Sequence, residues 1–439
     1  MKRRFSNLMA GLAAATSLVS MPLSAAGPTS AEIQNDAATP GDVLSYGMGP
    51  WQQRFSTLDK LNSQNVAKLV PAFASSLGGE KQRGQESQPI VYDGTIYVTG
   101  SYSRLFAFDA RTGEIKAMGN YPTYDPSNLK DISDLSALSN PIVSSPLEVG
   151  SIMKPLTAAA ALNEGVIKKD TTYYDPARIV IGDRVVTNVE EDGGPGTKSI
   201  GDFLRLSLNT GAVYLLQQLG GGEINEKGRR LWHEYMTNHY GFGSATGVEQ
   251  MSEAKGTVPD PDNGYGLNIT YANTSFGQGM TATLVQMAAA YASIVNGGEY
   301  VKPHVVEATT RSDGTKTTVD RTVVRTVVSQ KASQDARSLL EYVFTENHRI
   351  YGMPNLPDGY SIGGKTGTAQ IAKPEGGYYT DRFTGTFAGF VGGDTPEYII
   401  VVRVNEPKIG GFAGAQATAP VFSNLATMMI QNYGVKPKQ

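Results

Sequence analysis

The hydrophobic pattern divides the 439-residue chain into a strand-rich first part and a mixed remainder. Ile90-Val-Tyr and Thr95-Ile-Tyr-Val flank Asp93-Gly94, a dipeptide suited to a tight primed turn, and predict a β-hairpin. A second hairpin is predicted from Leu105-Phe-Ala-Phe-Asp109, through Ala110-Arg-Thr-Gly113, into Glu114-Ile-Lys-Ala-Met118. Its second arm alternates apolar and charged side chains, as a half-buried strand does. The period then changes. Residues 151–164 follow a helical pattern closed by Gly165, residues 210–219 another closed by Gly220, and residues 280–295 (MTATLVQMAAAYASIV) a long apolar one ended by Asn296-Gly-Gly298. Residues 384–391 and 398–404 read as paired strands and residues 420–433 as a terminal helix. Helices mixed with an antiparallel sheet predict an α+β fold.

The N-terminus adds a destination. Lys2, Arg3 and Arg4 precede the apolar run Leu8–Val19 and the small residues Ser24-Ala-Ala26. This is the form of a secretory signal peptide, with cleavage expected after Ala26. The run is short for a bilayer span of about 20 residues. No later segment approaches that length, so no retained membrane anchor is predicted. The mature chain is expected outside the cytoplasm, in the periplasm or at the outer face of the cytoplasmic membrane. Residues 27–45, rich in Ala, Pro, Thr and Ser, read as a flexible leader. Residues 46–104 read as a short β-rich unit and residues 105–439 as the α+β domain.

Composition narrows the chemistry. Apolar residues make up 40 % and charged residues 18 %, a globular balance. A net charge of −3 gives no basic face, which argues against a nucleic-acid partner. With no cysteine, disulfides, thiol nucleophiles and thiolate metal sites are excluded. No metal and no cofactor are expected.

Ser151-Ile-Met-Lys154 joins a serine to a lysine three residues on. The same spacing occurs at Ser127 with Lys130 and at Ser252 with Lys255, but only Ser151 follows a glycine and opens an apolar helix. On a helix, positions three apart share a face, which lays the lysine amine against the hydroxyl. A serine hydroxyl needs a neighbouring base to become a nucleophile. A lysine serves when neutral, and burial favours that form by penalising the ammonium. Taken alone, the pair is equally an N-cap serine and a surface lysine. Two further motifs change its weight. Ser207-Leu-Asn209 follows it in order, and Lys365-Thr-Gly-Thr368 comes later, behind Gly363-Gly364. Ser-x-Asn recurs at Ser63-Gln-Asn65; Lys-Thr-Gly occurs once. Ser207 and Asn209 are suited to relay a proton and hold an amide. Lys365 supplies positive potential for a carboxylate, and the Thr366 and Thr368 hydroxyls can bind it. Gly367 lets backbone approach closely. The backbone N–H groups of Ser151 and Thr368 are a candidate oxyanion hole.

This ordered trio resembles the signature of penicillin-binding proteins and serine β-lactamases. Residues 110 to about 435 resemble the transpeptidase domain of class B penicillin-binding proteins. The likeness is carried by Thr112-Gly-Glu-Ile with Tyr121-Pro-Thr-Tyr-Asp-Pro, by Glu148-Val-Gly-Ser-Ile-Met-Lys-Pro-Leu-Thr157, by Tyr240-Gly-Phe-Gly, and by Gly277-Gln-Gly-Met-Thr-Ala-Thr. Asn296-Gly-Gly with Pro303, Gly363-Gly-Lys-Thr-Gly-Thr-Ala-Gln370 and Phe387-Ala-Gly-Phe390 complete it. Val149 stands where the family usually has proline, and Leu208 where it has serine. The resemblance implies a D,D-transpeptidase that forms a serine acyl-enzyme at Ser151 and is acylated by β-lactams. Its implied partners are peptidoglycan stem peptides, β-lactam antibiotics and the cell-wall synthesis machinery. Hydrolysis, as a D,D-carboxypeptidase or β-lactamase, is the related alternative; Glu234-Tyr-Met-Thr-Asn238 has the spacing of a deacylating Glu-x-x-x-Asn. A module that binds β-lactam or peptidoglycan without turnover is another.

The first 109 residues resemble a different family, the periplasmic quinoprotein alcohol dehydrogenases. Tyr46-Gly-Met-Gly, Gln53-Arg-Phe-Ser-Thr-Leu, Arg83-Gly-Gln-Glu-Ser-Gln-Pro89 and Tyr97-Val-Thr-Gly-Ser-Tyr-Ser-Arg104 carry this likeness. There the residue matching Glu86 contacts pyrroloquinoline quinone at the axis of a propeller. Only one blade's worth of that pattern is present, and one blade cannot close a propeller, so Glu86 is expected to be vestigial. The chain reads as a chimera, joined where both families carry Asp-x-x-Thr-Gly. Leu105–Asp109 is expected to replace a strand of the transpeptidase sheet. The helix that precedes that strand in the family has Asn62–Ala72 as its only nearby counterpart, cut short by Pro71, so one sheet face is expected to be poorly covered.

Overall fold

The computed structural model describes residues 90–92, 95–97, 106–120, 139–188, 194–310, 315–351, 356–373, 377–407 and 413–439. The chain divides into two compact units, Met1–Ser101 and Tyr102–Gln439. In the first, Ile90–Tyr92 pairs antiparallel with Thr95–Tyr97, with Tyr92 opposite Thr95. The two-residue connection therefore falls on Asp93-Gly94. The signal segment, the leader, Asn62–Ala72, Ser63-Gln-Asn65, Glu86 and the Ser127/Lys130 pair lie outside the described residues.

The second unit is built on five antiparallel strands: β1 (Phe106–Asp109), β2 (Ile115–Met118), β3 (Ser361–Ala372), β4 (Tyr378–Gly392) and β5 (Pro396–Asn405). Their order is β3-β4-β5-β1-β2. β1 is thus an interior strand, with Tyr398 opposite Asp109 and Ile400 opposite Ala107 on one side, and Phe106 opposite Met118 on the other. The turn between β1 and β2 holds itself together. The buried Asp109 carboxylate accepts from the backbone of Arg111 (2.8 Å) and Thr112 (3.1 Å), and Thr112 Oγ1 accepts from Glu114 N (3.2 Å). Such Asx and hydroxyl turns are local, so the motif suits any hairpin. Gly113 has φ +86°, and a Cβ there would sit 2.3 Å from Lys302 O, so only glycine fits.

Strands β4 and β5 are buried on both faces. Phe387, Ile400 and Val402 face Phe422 and Ala426 of helix Ala419–Asn432, together with Phe344 from helix Gln330–Tyr351. Phe387 and Phe422 stack at 4.2 Å. Ala388, Phe390, Ile399 and Val401 face the other way, into the main core. That core is centred on helix Leu284–Val295, whose every residue is buried, as its all-round apolar sequence demands. This helix starts at Leu284, not at Met280. Thr283 caps it reciprocally with Gln286, and Thr281 and Ala282 pair instead with Thr257 and Leu147. The helix predicted to end at Gly220 ends there with φ −81°; Gly221 (φ +89°) is the left-handed residue. Among the described residues no helix is long and apolar enough to cross a membrane.

Candidate active site

Ser151 lies where two loops and an edge strand meet. Gly150, with φ +63°, turns the chain into a one-turn 3₁₀ helix, Gly150–Met153, which runs into helix α1 (Lys154–Asn163). The α-helix proper therefore begins three residues later than the sequence suggests, and Ser151 occupies the tighter preceding turn. Gly150 N donates to Gly277 O at 3.0 Å. A Cβ on Gly277 would come within 2.1 Å of Gly150 O, so the two glycines are in backbone contact. The Tyr291 hydroxyl donates to Ile152 O (2.7 Å), a carbonyl to which Pro155, three residues on, can offer no N–H.

Lys154 is fully buried, and its Nζ is the hub of the site. It lies 2.9 Å from Ser151 Oγ, 3.1 Å from Ser207 Oγ and 2.9 Å from Asn209 Oδ1, and it also contacts Ser207 O. A neutral amine in the same place has one lone pair to accept the Ser151 proton and two N–H groups to donate among the other oxygens. Lys365, 1 % exposed, places its Nζ 3.0 Å from Ser207 Oγ and 2.9 Å from Thr366 O. Ser207 Oγ thus bridges the two lysines. Ser207 closes helix α2 (Ile200–Leu206) with φ 60° and ψ 39°, a left-handed conformation that costs an L-residue about 1–2 kcal/mol. That conformation turns both its carbonyl and its hydroxyl toward Lys154.

Asn209 begins helix α3 (Asn209–Leu219). Its Nδ2 donates to Thr187 O at 3.0 Å, which fixes the amide and leaves Oδ1 for Lys154. Behind it sits Asp175, fully buried. It accepts from Thr210 Oγ1 (2.8 Å), Asn188 Nδ2 (3.2 Å), Tyr173 OH (3.0 Å) and Ala177 N (2.7 Å). Asn188 Oδ1 in turn accepts from Thr210 N (3.0 Å). This network ties the Thr187–Asn188 segment to the start of α3. Lys365, Thr366, Gly367 and Thr368 all lie on β3, at the sheet edge. Thr368 is exposed, and its Oγ1 accepts from Gly414 N at 3.0 Å. A Cβ on Gly367 would meet Thr386 Oγ1 at 2.3 Å.

Residues 105–427 match the penicillin-binding protein transpeptidase domain. The chain belongs to this family. It is 34 % identical over 336 residues to penicillin-binding protein PbpB of Mycolicibacterium smegmatis, covering 74 % of this chain and 50 % of that protein. PbpB of Mycobacterium tuberculosis gives 34 % over 333 residues, 74 % of this chain and 47 % of that protein. The chain thus spans about half the length of the curated relatives it matches. Among solved structures, penicillin-binding protein 3 of Mycobacterium tuberculosis complexed with aztreonam superposes with a TM-score of 0.66 at 32 % identity, covering 76 % of this chain and 73 % of that one. A second family adjoins the first. Residues 44–130 match the glucose/ethanol/alcohol dehydrogenase β-propeller domain. Over 104 residues the chain is 55 % identical to quinoprotein ethanol dehydrogenase of Pseudomonas aeruginosa, 24 % of this chain and 16 % of that enzyme. The two matched segments overlap at residues 105–130, which contain the β1–β2 hairpin.

In this penicillin-binding fold, two of the competing motifs, both among the described residues, are exposed. Ser252 and Lys255 lie on an exposed loop without helix. Glu234 and Asn238 are both exposed, at the end of one helix and in the π-helical turn that leads to Tyr240. Sequence reading did not single out Asp175, Thr187, Asn188 or Tyr291. Their alternating or helical positions look like ordinary strand and core residues, and only the fold shows what their polar atoms hold.

Proposed function

We propose that the chain is a peptidoglycan D,D-transpeptidase, secreted across the cytoplasmic membrane, with residues 105–439 as its working domain and residues 46–104 as a fragment of one propeller blade. The observation that carries this reading is the buried Lys154 amine 2.9 Å from Ser151 Oγ, linked through Ser207 Oγ to Lys365. Ser151 Oγ attacks the penultimate D-Ala carbonyl of a stem peptide, and its proton passes to Lys154 Nζ. The Ser151 and Thr368 N–H groups stabilise the oxyanion. As the C–N bond breaks, the proton passes by way of Ser207 Oγ to the departing D-Ala nitrogen. An ester to Ser151 remains. An amine of a neighbouring stem then displaces Ser151, which recovers its proton. Lys365, Thr366 and Thr368 hold the substrate carboxylate. β3 is a sheet edge, the kind of site where an extended peptide adds as a further strand. A β-lactam enters by the same attack on its strained amide, in keeping with the aztreonam- and ampicillin-complexed relatives.

β-Lactamase-type deacylation through Glu234 and Asn238 is disfavoured because both side chains are exposed on the surface. Other cell-wall synthesis proteins are the expected partners. The test supplies a D-Ala-D-Ala-terminated stem peptide with and without an amino acceptor. Released D-Ala with an amide-linked product supports the reading; release of D-Ala with only the shortened acid makes the enzyme a carboxypeptidase.

A further inference from the structure

Glu148 stands three residues before Ser151 and has no part in the chemistry described above. Its Oε1 accepts from Gly279 N at 2.7 Å and from the Tyr378 hydroxyl at 3.0 Å. Its Oε2 is buried and without a hydrogen-bond partner. The three groups come from three different segments. Glu148 leads directly into the Gly150 turn. Gly279 belongs to the loop whose Gly277 carbonyl accepts from Gly150 N. Tyr378 opens β4 opposite Ala372, on the hairpin whose other strand carries Lys365 and Thr368. One carboxyl therefore joins the nucleophile segment to both of the elements it must face.

The surroundings decide which protonation state does this. Glu148 lines a cavity of about 360 Å³, between Leu147, Thr281, Gln370, Thr384, Arg403 and Glu406. Among the described residues no cation bonds the carboxyl. On β5, Arg403 is engaged with Ser145 O (3.1 Å) and Asn405 Oδ1 (2.7 Å), and Glu406 beyond it with Arg382 (2.6 Å). On β4, Tyr378 is the titratable neighbour, and the Gly277–Thr283 loop carries no titratable side chain. Burial raises the Glu148 pKa, and this outweighs the Gly279 and Tyr378 hydrogen bonds, which lower it. In the acid, Oε1 accepts both bonds and Oε2 carries a proton that has no acceptor, a neutral group whose burial costs less than that of a charge. In the carboxylate, Oε2 would hold buried charge with no partner, which is costly.

We infer that Glu148 is a positioning residue: as a neutral acid it clips the Ser151 segment to the Gly279 loop and to the start of β4, and its ionisation loosens the nucleophile. The inference rests on Ser151 being the nucleophile.

The experiment uses the full chain and the variants Glu148→Gln, Glu148→Ala and Tyr378→Phe. The rate of acylation by a fluorescent penicillin and the thermal midpoint are both followed from about pH 5 to about pH 9. Glu148→Gln mimics the acid. It should acylate within about threefold of wild type at the acidic end, and its rate relative to wild type should climb with pH. Glu148→Ala should be slower by about tenfold or more throughout, and Tyr378→Phe should fall between the two. The sign for stability follows from the raised pKa. Its contribution is complete below the unfolded value and is lost as pH rises through the folded one, so the midpoint of Glu148→Gln should gain on wild type as pH rises. Ratios and midpoint differences that stay flat with pH, or a Glu148→Gln as slow as Glu148→Ala, overturn the inference. If wild type is not acylated at all, the reading of Ser151 fails, and the midpoint series still decides whether Glu148 is held as the acid.

Discussion

Lys154 Nζ lies 2.9 Å from Ser151 Oγ, at the end of a side chain with no exposed surface. Burial and spacing together define its role. In water a lysine amine is almost wholly protonated at neutral pH because its ammonium is well hydrated; burial penalises the ammonium and so favours the neutral amine that can accept a proton. Lys154→Met fills much of the same volume and removes the base. It should keep the fold, judged by circular dichroism, yet slow acylation by about 10²-fold or more. An unchanged rate in a folded variant rejects the role.

Ser207 combines a strained backbone with a bridging hydroxyl, and two substitutions separate these. Ser207→Ala keeps the left-handed strain and loses the hydroxyl; Ser207→Gly loses both. Both variants should acylate slowly and to a similar degree. Ser207→Gly should be the more stable of the two by about 1 kcal/mol, the scale of the left-handed penalty. Thermal melting of the pair checks this; equal midpoints would mean that the conformation carries no strain.

Asp175 accepts four hydrogen bonds in a fully buried position, behind Asn209. Asp175→Ala strands the buried Tyr173 hydroxyl, while Thr210 Oγ1 keeps Asn188 Oδ1 at 2.9 Å as an acceptor; a stranded buried group costs about 1–3 kcal/mol. The variant should melt markedly lower and acylate more slowly, because Thr187 O no longer fixes the Asn209 amide. Normal acylation in a destabilised variant would restrict Asp175 to stability.

The junction between the two matched families gives a sharper test of organisation. β1 has strand partners on both sides, and the compact units divide at Ser101. A chain beginning near Gly100 should melt within a few degrees of the mature chain and still acylate. One beginning at Thr112 lacks β1, leaves backbone groups of β5 unpaired, and should be unstable or insoluble. Equal behaviour of the two would mean that β1 is dispensable.

The chemistry was legible early because Ser151, Lys154, Ser207, Asn209 and Lys365 stand in a fixed order, with Ser151 and Lys154 close enough in sequence to share a helical face. Both hairpins were legible because alternation and a turn dipeptide are local signals. β3 was not, because Gly363, Gly364 and Gly367 weaken the strand pattern; the glycines are there because Phe387, Phe390 and Thr386 leave no room for a Cβ. The start of the helix at Leu284 was missed because Met280 and Ala282 fit its apolar pattern while their backbone belongs to the loop facing Leu147. The left-handed Ser207 and the Asp175 network leave no periodic trace. They are set by where Lys154 and Asn209 must be held, and that is a tertiary fact.

The most direct test of the account is intact-mass spectrometry of the full chain after exposure to penicillin, followed by peptide mapping. A mass gain of one opened penicillin is expected, located on the peptide that carries Ser151, and lost in Ser151→Ala but not in Ser252→Ala. An adduct that persists in Ser151→Ala, or that maps to another serine, contradicts it.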